Sequence, residues 1–542
     1  MASDILSRSA PPPEPTGPAP GRTSGDATSD ATRLLCAGTY LDPEYRATVI
    51  RELLTHRFRV VAPSYGYDAV PVLAHALAAR RLHRARLAVL GAGLGVTLVL
   101  MGAGVLNAFA GFLTALWLVW VTAYLRRVVT LQTLVSRLRG RTDPKGGTSG
   151  FDASYPEHPR LTPELVAKID REQTSDGSLV RYGGYKPFVG AGEPVRRWST
   201  AELLIGAPVP SADQHPFLHE HQYQDRNQPG PGISRATVVH GQEPQRKEVV
   251  PFTTDEITSY VAERMTADLR DRARQAERIE GLAVERSTFT TAVTRLGVWE
   301  QPEGGAHDGP WEDGYGARRA YLCVRVGTWN QELVTTAFVG FDLKGNTLHT
   351  EFYSYVLAPI QASFHLVDRL PAALTGRLLL RVAWHTLRAT PGATVRPVLA
   401  QLRSRLPGLL PWRWGKTRIL VLQPSDTSEF RLGRYADTVL NRGALTSIRE
   451  MATSDDFHVF FQETDTIKYT QIVERQLLQV IRDFLHEHNV DLAEHEARQT
   501  NILNSYGDNN NFVNNNNGGT VNSGTQNFHR GSEGGGQGAG SA

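Results

Sequence analysis

The sequence predicts an α+β membrane protein: a two-pass transmembrane helical hairpin joined to a cytoplasmic α+β domain that contains an antiparallel sheet, between disordered termini. Three observations point there. Leu87 to Leu125 is a run of thirty-nine residues without Asp, Glu, Lys, Arg or His. Arginines crowd both of its ends. Further on, segments rich in β-branched and aromatic residues follow one another and precede a long amphipathic helix pattern.

A transmembrane helix takes about 20 apolar residues to cross a hydrocarbon core of roughly 30 Å, so the uncharged run fits two passes, with a hinge near Asn107. Arg80, Arg81, Arg84 and Arg86 precede it, and Arg126, Arg127, Arg137, Arg139 and Arg141 follow it. Because Lys and Arg beside a span stay on the cytoplasmic side, a hairpin with both termini in the cytoplasm satisfies both clusters, and a single pass satisfies one. Gly91, Gly93, Gly95, Gly102 and Gly104 offer small-residue spacings for close helix packing, and Trp120 and Tyr124 mark the inner interface. The competing reading is a hairpin buried in a globular core.

Residues 1–32 are Pro-, Ser- and Gly-rich and read as disordered, with no secretory signal. Residues 33–86 form a cytoplasmic helical arm. RLLCAGTYLDPEYRATVIRELL has helical spacing with a new start near Pro43, RFRVVAPSYGYD reads as a short strand and turn, and AVPVLAHALAARRLHRARL leads as a helix into the 87–125 hairpin. Residues 126–154 hold a juxtamembrane helix and a linker broken at TDPKGGTSG. The main cytoplasmic domain spans 155–500, and 501–542 is an Asn/Gly-rich tail.

Within 155–500 there is no regular βαβ alternation, which favours α+β. Thr253 or Thr254 caps the helix TTDEITSYVAERMTADLRDRARQAERI, with acidic residues in its first turn. RAYLCVRVGTW, ELVTTAFVGFDL and TLHTEFYSYVLAP form an antiparallel meander, with a turn at Lys344-Gly345-Asn346. Ile472, Leu477, Val480, Ile481 and Phe484 give the last long helix one buried face. Between meander and helix, residues 370–414 are apolar and basic with Trp384, Trp412 and Trp414, as a stretch lying on an anionic leaflet or as ordinary packed helices.

The chemistry-bearing candidates yield no catalytic, cofactor-binding or metal residue. Gly415-Lys416-Thr417 lacks the upstream glycine and the strand-to-helix context of a phosphate-binding loop. YGGYKPFVGAG, residues 182–192, could cradle an anion but has the wrong spacing for a dinucleotide fingerprint, and a tight structural loop is the simpler reading. His215, His219 and His221 would need a helix to share a metal, and their Pro-, Gln- and Asn-rich surroundings disfavour one. His486, His488 and His495 read as solvated or capping groups. Cys36 and Cys323 have no partner motif, and a net charge of +3, accounted for by the juxtamembrane arginines, is no nucleic-acid signature.

LLCAGTYLDPEYR, VVAPSYGYDAVPVLAHAL, YGGYKPFVGAG and FQETDTIKYTQIVERQLL resemble stretches of uncharacterised integral membrane proteins of Streptomyces-type actinobacteria, over most of the ordered chain. The resemblance implies membrane integration and little about activity. NNNNGGTVNSGTQ is similar to bacterial amyloid signalling motifs, without their regular Val/Ile alternation, and implies self-association of the tail; an inert tail is the alternative. The expected partners are the lipid bilayer and further copies of the tail, with no nucleic acid. The functional expectation is a non-catalytic membrane-tethered sensing or effector protein, and the alternative is a membrane-bound enzyme acting on a lipid or a cytoplasmic small molecule.

Overall fold

The computed structural model describes residues 26–56, 58–142, 148–149, 151, 153–174, 179–209, 245–296, 318–371, 374–388, 420–422, 438–454 and 456–504. Within them the chain is α+β, with one mixed six-stranded sheet and two helices long and apolar enough to cross a membrane.

Helix α1 (Asp30–Leu41) opens inside the segment expected to be disordered through residue 32. The Ser29 hydroxyl caps it by accepting from the Thr32 N–H, and with Thr32 it donates to the Asp26 carbonyl. Asp42 caps α2 (Pro43–Ile50), which has proline at its first position and ends in a π turn, Arg51–Thr55. Residues 57–68, expected as a strand and turn, contain no strand among those described. Val60 donates to the Arg442 carbonyl and Ser64 to that of Gln173, so the segment finds single partners on separate elements and no ladder.

Asp68 caps α3 (Ala69–Gly102), 34 residues and about 51 Å long at 1.5 Å per residue. Its first turns are buried, but from Leu87 onward it bares Val89, Val96, Leu98 and Val99. Gly104, at φ +75°, turns the chain, and Asn107 caps α4 (Ala108–Thr133) by accepting from the Ala110 N–H. The hinge therefore falls where the sequence placed it. A π turn, Leu134–Leu138, and the small hairpin β1 (Arg141–Thr142) and β2 (Thr148–Ser149) follow.

Close packing within the helix pair rests on fewer glycines than expected. A Cβ on Gly93 would stand 3.0 Å from Leu118, and one on Gly111 would run into Met101, whereas Gly91, Gly95 and Gly102 face open space.

After α5 (Pro163–Gln173) come β3 (Leu179–Tyr182) and β4 (Glu193–Leu203). Next is α6 (Thr254–Thr266), closed at its start by a reciprocal capping box of Thr253 and Glu256. The strands β5 (Leu282–Thr291), β6 (Val293–Leu296), β7 (Arg319–Thr328), β8 (Leu333–Lys344) and β9 (Thr347–Leu357) follow. The sheet order is β3-β5-β7-β8-β9-β4, parallel between β3 and β5 and antiparallel elsewhere. Gly345 and Asn346, both at positive φ, form the tight turn between β8 and β9, the geometry a two-residue hairpin loop demands.

Residues 376–388 form α7, the short strands β10 (Leu420–Leu422) and β11 (Thr438–Asn441) make a three-stranded sheet with β6 in the order β10-β11-β6, and α8 (Phe460–Glu487) and α9 (Ala493–Asn504) complete the described chain. α6 and α8 cover one face of the sheet, where Ile257, Val261, Leu477 and Ile481 meet Val324 and Phe352. The opposite face is aromatic, with Phe188 stacked on Phe338 at 4.1 Å.

A second core joins α1, α2 and the base of α3 to Leu134, Leu138, Phe364 and Ile448. Gly38 lies flat on the Phe364 ring, with no room for a Cβ.

Gly111→Ile should force α3 and α4 apart and destabilise the purified chain by roughly 1–3 kcal/mol, the usual cost of overpacking. Gly95→Ile should change stability by less than about 0.5 kcal/mol. Thermal melting of the two variants side by side checks the difference.

Candidate functional site: a buried ionic junction

Where the N-terminal arm meets the sheet, three guanidinium groups lie buried. Arg449, fully buried, donates to the Tyr65 carbonyl (2.9 Å) and to the Glu332 carbonyl (2.7 Å). Burial pulls its guanidinium down to about 10, which leaves it charged at neutral pH. Arg33 donates to Asp30, to Asp368 and to the Leu138 carbonyl, and so ties α1 to the turn after α4 and to the short helix Phe364–Val367. Arg325 on β7 lies 3.8 Å from Asp26, whose Oδ1 has no hydrogen-bond partner among the described residues.

The loop between β7 and β8 enters this junction under strain. Trp329, Asn330 and Gln331 all adopt positive φ, a conformation that costs a non-glycine residue of order 1 kcal/mol and persists only where its surroundings enforce it. The enforcement comes from three sides. Gln331 packs against Gly66 and Gly327, neither of which has room for a side chain, Trp329 donates to Asp465 on α8, and the Glu332 carbonyl is held by Arg449.

The residue after Arg449 faces the other way. Glu450 Oε1 accepts from the amides of Gly190 (2.9 Å) and Gly192 (3.1 Å), and Oε2 from the amide of Ser447. The glycine-rich loop 182–192 thus cradles an anion, and that anion is a carboxylate of the same chain. Both glycines sit near φ +90°, with no room for a Cβ beside Pro63 and Val356 respectively. The sequence reading missed Arg449 and Glu450, although Ser447-Ile-Arg-Glu450 carries the capping-box spacing, and Ser447 and Glu450 do bond reciprocally.

Other candidates fall as follows. His488 caps α8 through the Phe484 carbonyl, as expected. His495 is a buried group, not a solvated one: its Nδ1 lies 2.8 Å from Glu202 and its Nε2 3.2 Å from the Leu478 carbonyl, so it joins α9 to β4 and α8. Gly415-Lys416-Thr417 and His215, His219 and His221 lie outside the described residues. Among the described residues no group of three or more His, Cys, Asp or Glu side chains could hold a metal ion. Beside Arg325, a cavity of about 30 Å³ bordered by Asp26, Glu285 and Cys323 has room for about one water.

The junction holds one group poised near neutrality. Burial, then the nearby Asp30, raises Glu332 from 4.5 to about 7, against the pull of Arg449 and Arg33. His365 Nε2 stands 3.4 Å away without hydrogen-bond alignment, and burial, followed by His458, lowers that ring. Between pH 4.5 and 7 the folded state therefore holds a Glu332 proton that the unfolded chain has released, so this contribution to stability is complete below 4.5 and is lost as pH rises through 7. Glu332→Gln should remove a loss on the order of 2–3 kcal/mol between pH 5 and 8. Melting temperatures of the full chain and variant over that range check it: the parent should fall with rising pH relative to the variant, and parallel curves would refute the assignment.

With this geometry in hand, comparison with known proteins gives one positive result. A family model described as the AbeC-like domain matches residues 197–525, from within β4 through α9 and beyond. No curated protein and no solved structure matches. The match takes in Arg449, Glu450, Glu332 and the strained loop, and leaves the apolar helix pair and the glycine loop outside it. It covers more than half of the chain, and the chain therefore belongs to the AbeC-like domain family.

Proposed function

We propose that this chain is an integral membrane protein whose helical hairpin holds the AbeC-like body at the cytoplasmic face, where the body acts in sensing or as an effector without catalysis. The observation that carries the reading is the exposed apolar surface of α3 and α4. Soluble proteins rarely bare contiguous apolar patches beyond a few hundred Å², yet Val96, Leu98, Val99, Phe109, Phe112 and Trp117 all face outward on this one pair. A core helix of a soluble protein would bury them. Leu87–Gly102 and Ala108–Leu125 supply about 24 and 27 Å of helix, slightly short of the hydrocarbon thickness, a mismatch that snorkelling arginines and local thinning absorb.

All the flanking arginines lie at one end of the pair, opposite the turn at Gly104, which is the arrangement that keeps both termini in the cytoplasm. Helix α7 crosses α4 at this level: Trp120 donates to the Ala383 carbonyl and Arg127 to Thr386, while Leu380, Trp384 and Leu387 remain exposed. This supports the leaflet-surface reading for residues 376–388, and the rest of the 370–414 stretch lies largely outside the described residues. The non-catalytic reading draws support from the way the junction's charges are spent on one another and on backbone groups around a one-water cavity. Of the Asn-rich tail, residues 501–504, expected to be disordered, close α9, and the rest lies outside the described residues. Its resemblance to amyloid signalling motifs supports self-association, which tethering to a membrane would strengthen by raising local concentration.

Reporter fusions at residues 30 and 150 should both report the cytoplasm. Opposite sides would refute the hairpin and leave a single tilted span. Expressed in bacteria, the full chain should impair growth or membrane integrity relative to a form ending at Asn501, and indistinguishable behaviour of the two would count against an effector that works through its tail.

A further inference from the structure

At the basic end of α3 a cavity of about 320 Å³ opens between the helix and the segment that precedes α5. Arg80, Arg81 and Arg84 line it from one turn of α3, and His158 and Arg160 line it from the other side. Among the described residues no acidic side chain lines it. Among the described residues, none of the four arginines forms an ion pair with a carboxylate. This contrasts with Arg33 and Arg196, both of which are matched to carboxylates.

Four like charges around one half-open space repel one another, most directly Arg80 and Arg84 at i and i+4, and an anion in the space between them would relieve that repulsion. The field is felt at His158, where burial, then Arg160, Arg81 and Arg84, hold the imidazole below its ordinary value. His158 Nδ1 accepts from the Arg160 amide at 3.1 Å, so the neutral ring carries its proton on Nε2 as one more donor. Guanidinium forks match phosphate oxygens in geometry as well as charge.

The remaining wall of the cavity is apolar. Ala85 and Ala88 line it, and past them α3 continues into the exposed Leu87 and Val89. A phosphate held among the arginines would leave a hydrophobic chain attached to it lying along α3. We propose that this cavity binds the phosphate of an anionic phospholipid from the cytoplasmic leaflet, with the headgroup among Arg80, Arg81, Arg84 and Arg160 and the acyl chains against the apolar half of α3. The proposal rests on the membrane reading above.

The test uses the purified full chain at an ionic strength of about 0.15 M, where long-range attraction between exposed charges is largely screened. Flotation with vesicles of pure phosphatidylcholine comes first; a chain that does not float with them overturns both the membrane reading and the lipid site. In neutral detergent, fluorescent phosphatidylglycerol should then bind at least about tenfold more tightly than fluorescent phosphatidylcholine, a difference of 1.4 kcal/mol. Arg81→Gln combined with Arg84→Gln should remove that preference. Arg137→Gln, an exposed arginine near the base of α4 and outside the cavity, should retain it, and Arg81→Lys with Arg84→Lys should restore part of it. Floating without a preference for phosphatidylglycerol, or equal losses in the Arg137 and cavity variants, overturns the site while leaving the anchor intact. Displacement of the lipid by inorganic phosphate or glycerol phosphate at equal concentration would assign the cavity to a soluble phosphate and overturn the lipid source.

Discussion

The contact on which the rest of the structure depends is the pair of opposed electrostatic anchors at Arg449 and Glu450. One residue sends a guanidinium into the carbonyls of Tyr65 and Glu332, and the next sends a carboxylate into the amides of Gly190 and Gly192. Three segments distant in sequence are thereby fixed to the start of a single short turn, Glu450–Ala452, and to its cap Arg449. Buried charge is weak evidence for net stability, since desolvation offsets most of the attraction. Its strength lies in specificity, because few other arrangements of these segments would satisfy both a buried guanidinium and a half-buried carboxylate. The left-handed backbone at Gly190, Gly192 and Gly66 goes with it: the first two let a main chain approach and the third lets the Gln331 and Arg449 side chains approach, where a Cβ would block the way.

The legible parts of the fold are those whose signal is local. The start of α6 is written in Thr253 and Glu256, the β8–β9 turn in Gly345-Asn346, and the buried face of α8 in Leu477, Val480, Ile481 and Phe484. The hinge at Asn107 was visible because a helix pair with no charged residue has few other places to turn. The missed strands β4 and β5 carry charged residues side by side, where the meander strands carry them singly. β4 bears Glu193, Arg196 and Arg197 because it is an edge strand, where charge and a bulge between Pro194 and Arg196 discourage pairing with other chains. β5 bears adjacent Glu285 and Arg286, both exposed, which hides its apolar ends.

The junction was illegible for a different reason. Its members come from residues 26, 33, 325, 332, 365, 368 and 449, and nothing in the local sequence says that Arg33 will find Asp368. The glycine loop shows how a partial reading arises. Its glycines announced an anion-binding shape, and the anion proved to be a carboxylate 258 residues further along the chain. The packing glycines of the hairpin make the same point in reverse: five were visible in the first pass, but one of them, Gly104, lies in the turn, which of the other four meets the second helix depends on helix phase, and Gly93 alone does so.

The continuity of α3 carries the last step. The helix runs without a break from a base buried among α1, α2 and α5 to an end that bares its apolar side chains. Its cap, Asp68, is held by Gln173 and Thr32, and Gln173 also accepts from the Ala69 amide. The far leg returns to the same base, where Arg33 bonds the Leu138 carbonyl and Asp368 together. Tilting the apolar pair against the body would break several desolvated hydrogen bonds at once, each leaving a buried polar group unpaired at a cost of about 1–3 kcal/mol. The helix pair and the body are for that reason one mechanical unit. Two residues before the Asp68 cap lies Gly66, against which Gln331 of the strained loop is packed, so the base of α3 and the strained loop share one contact.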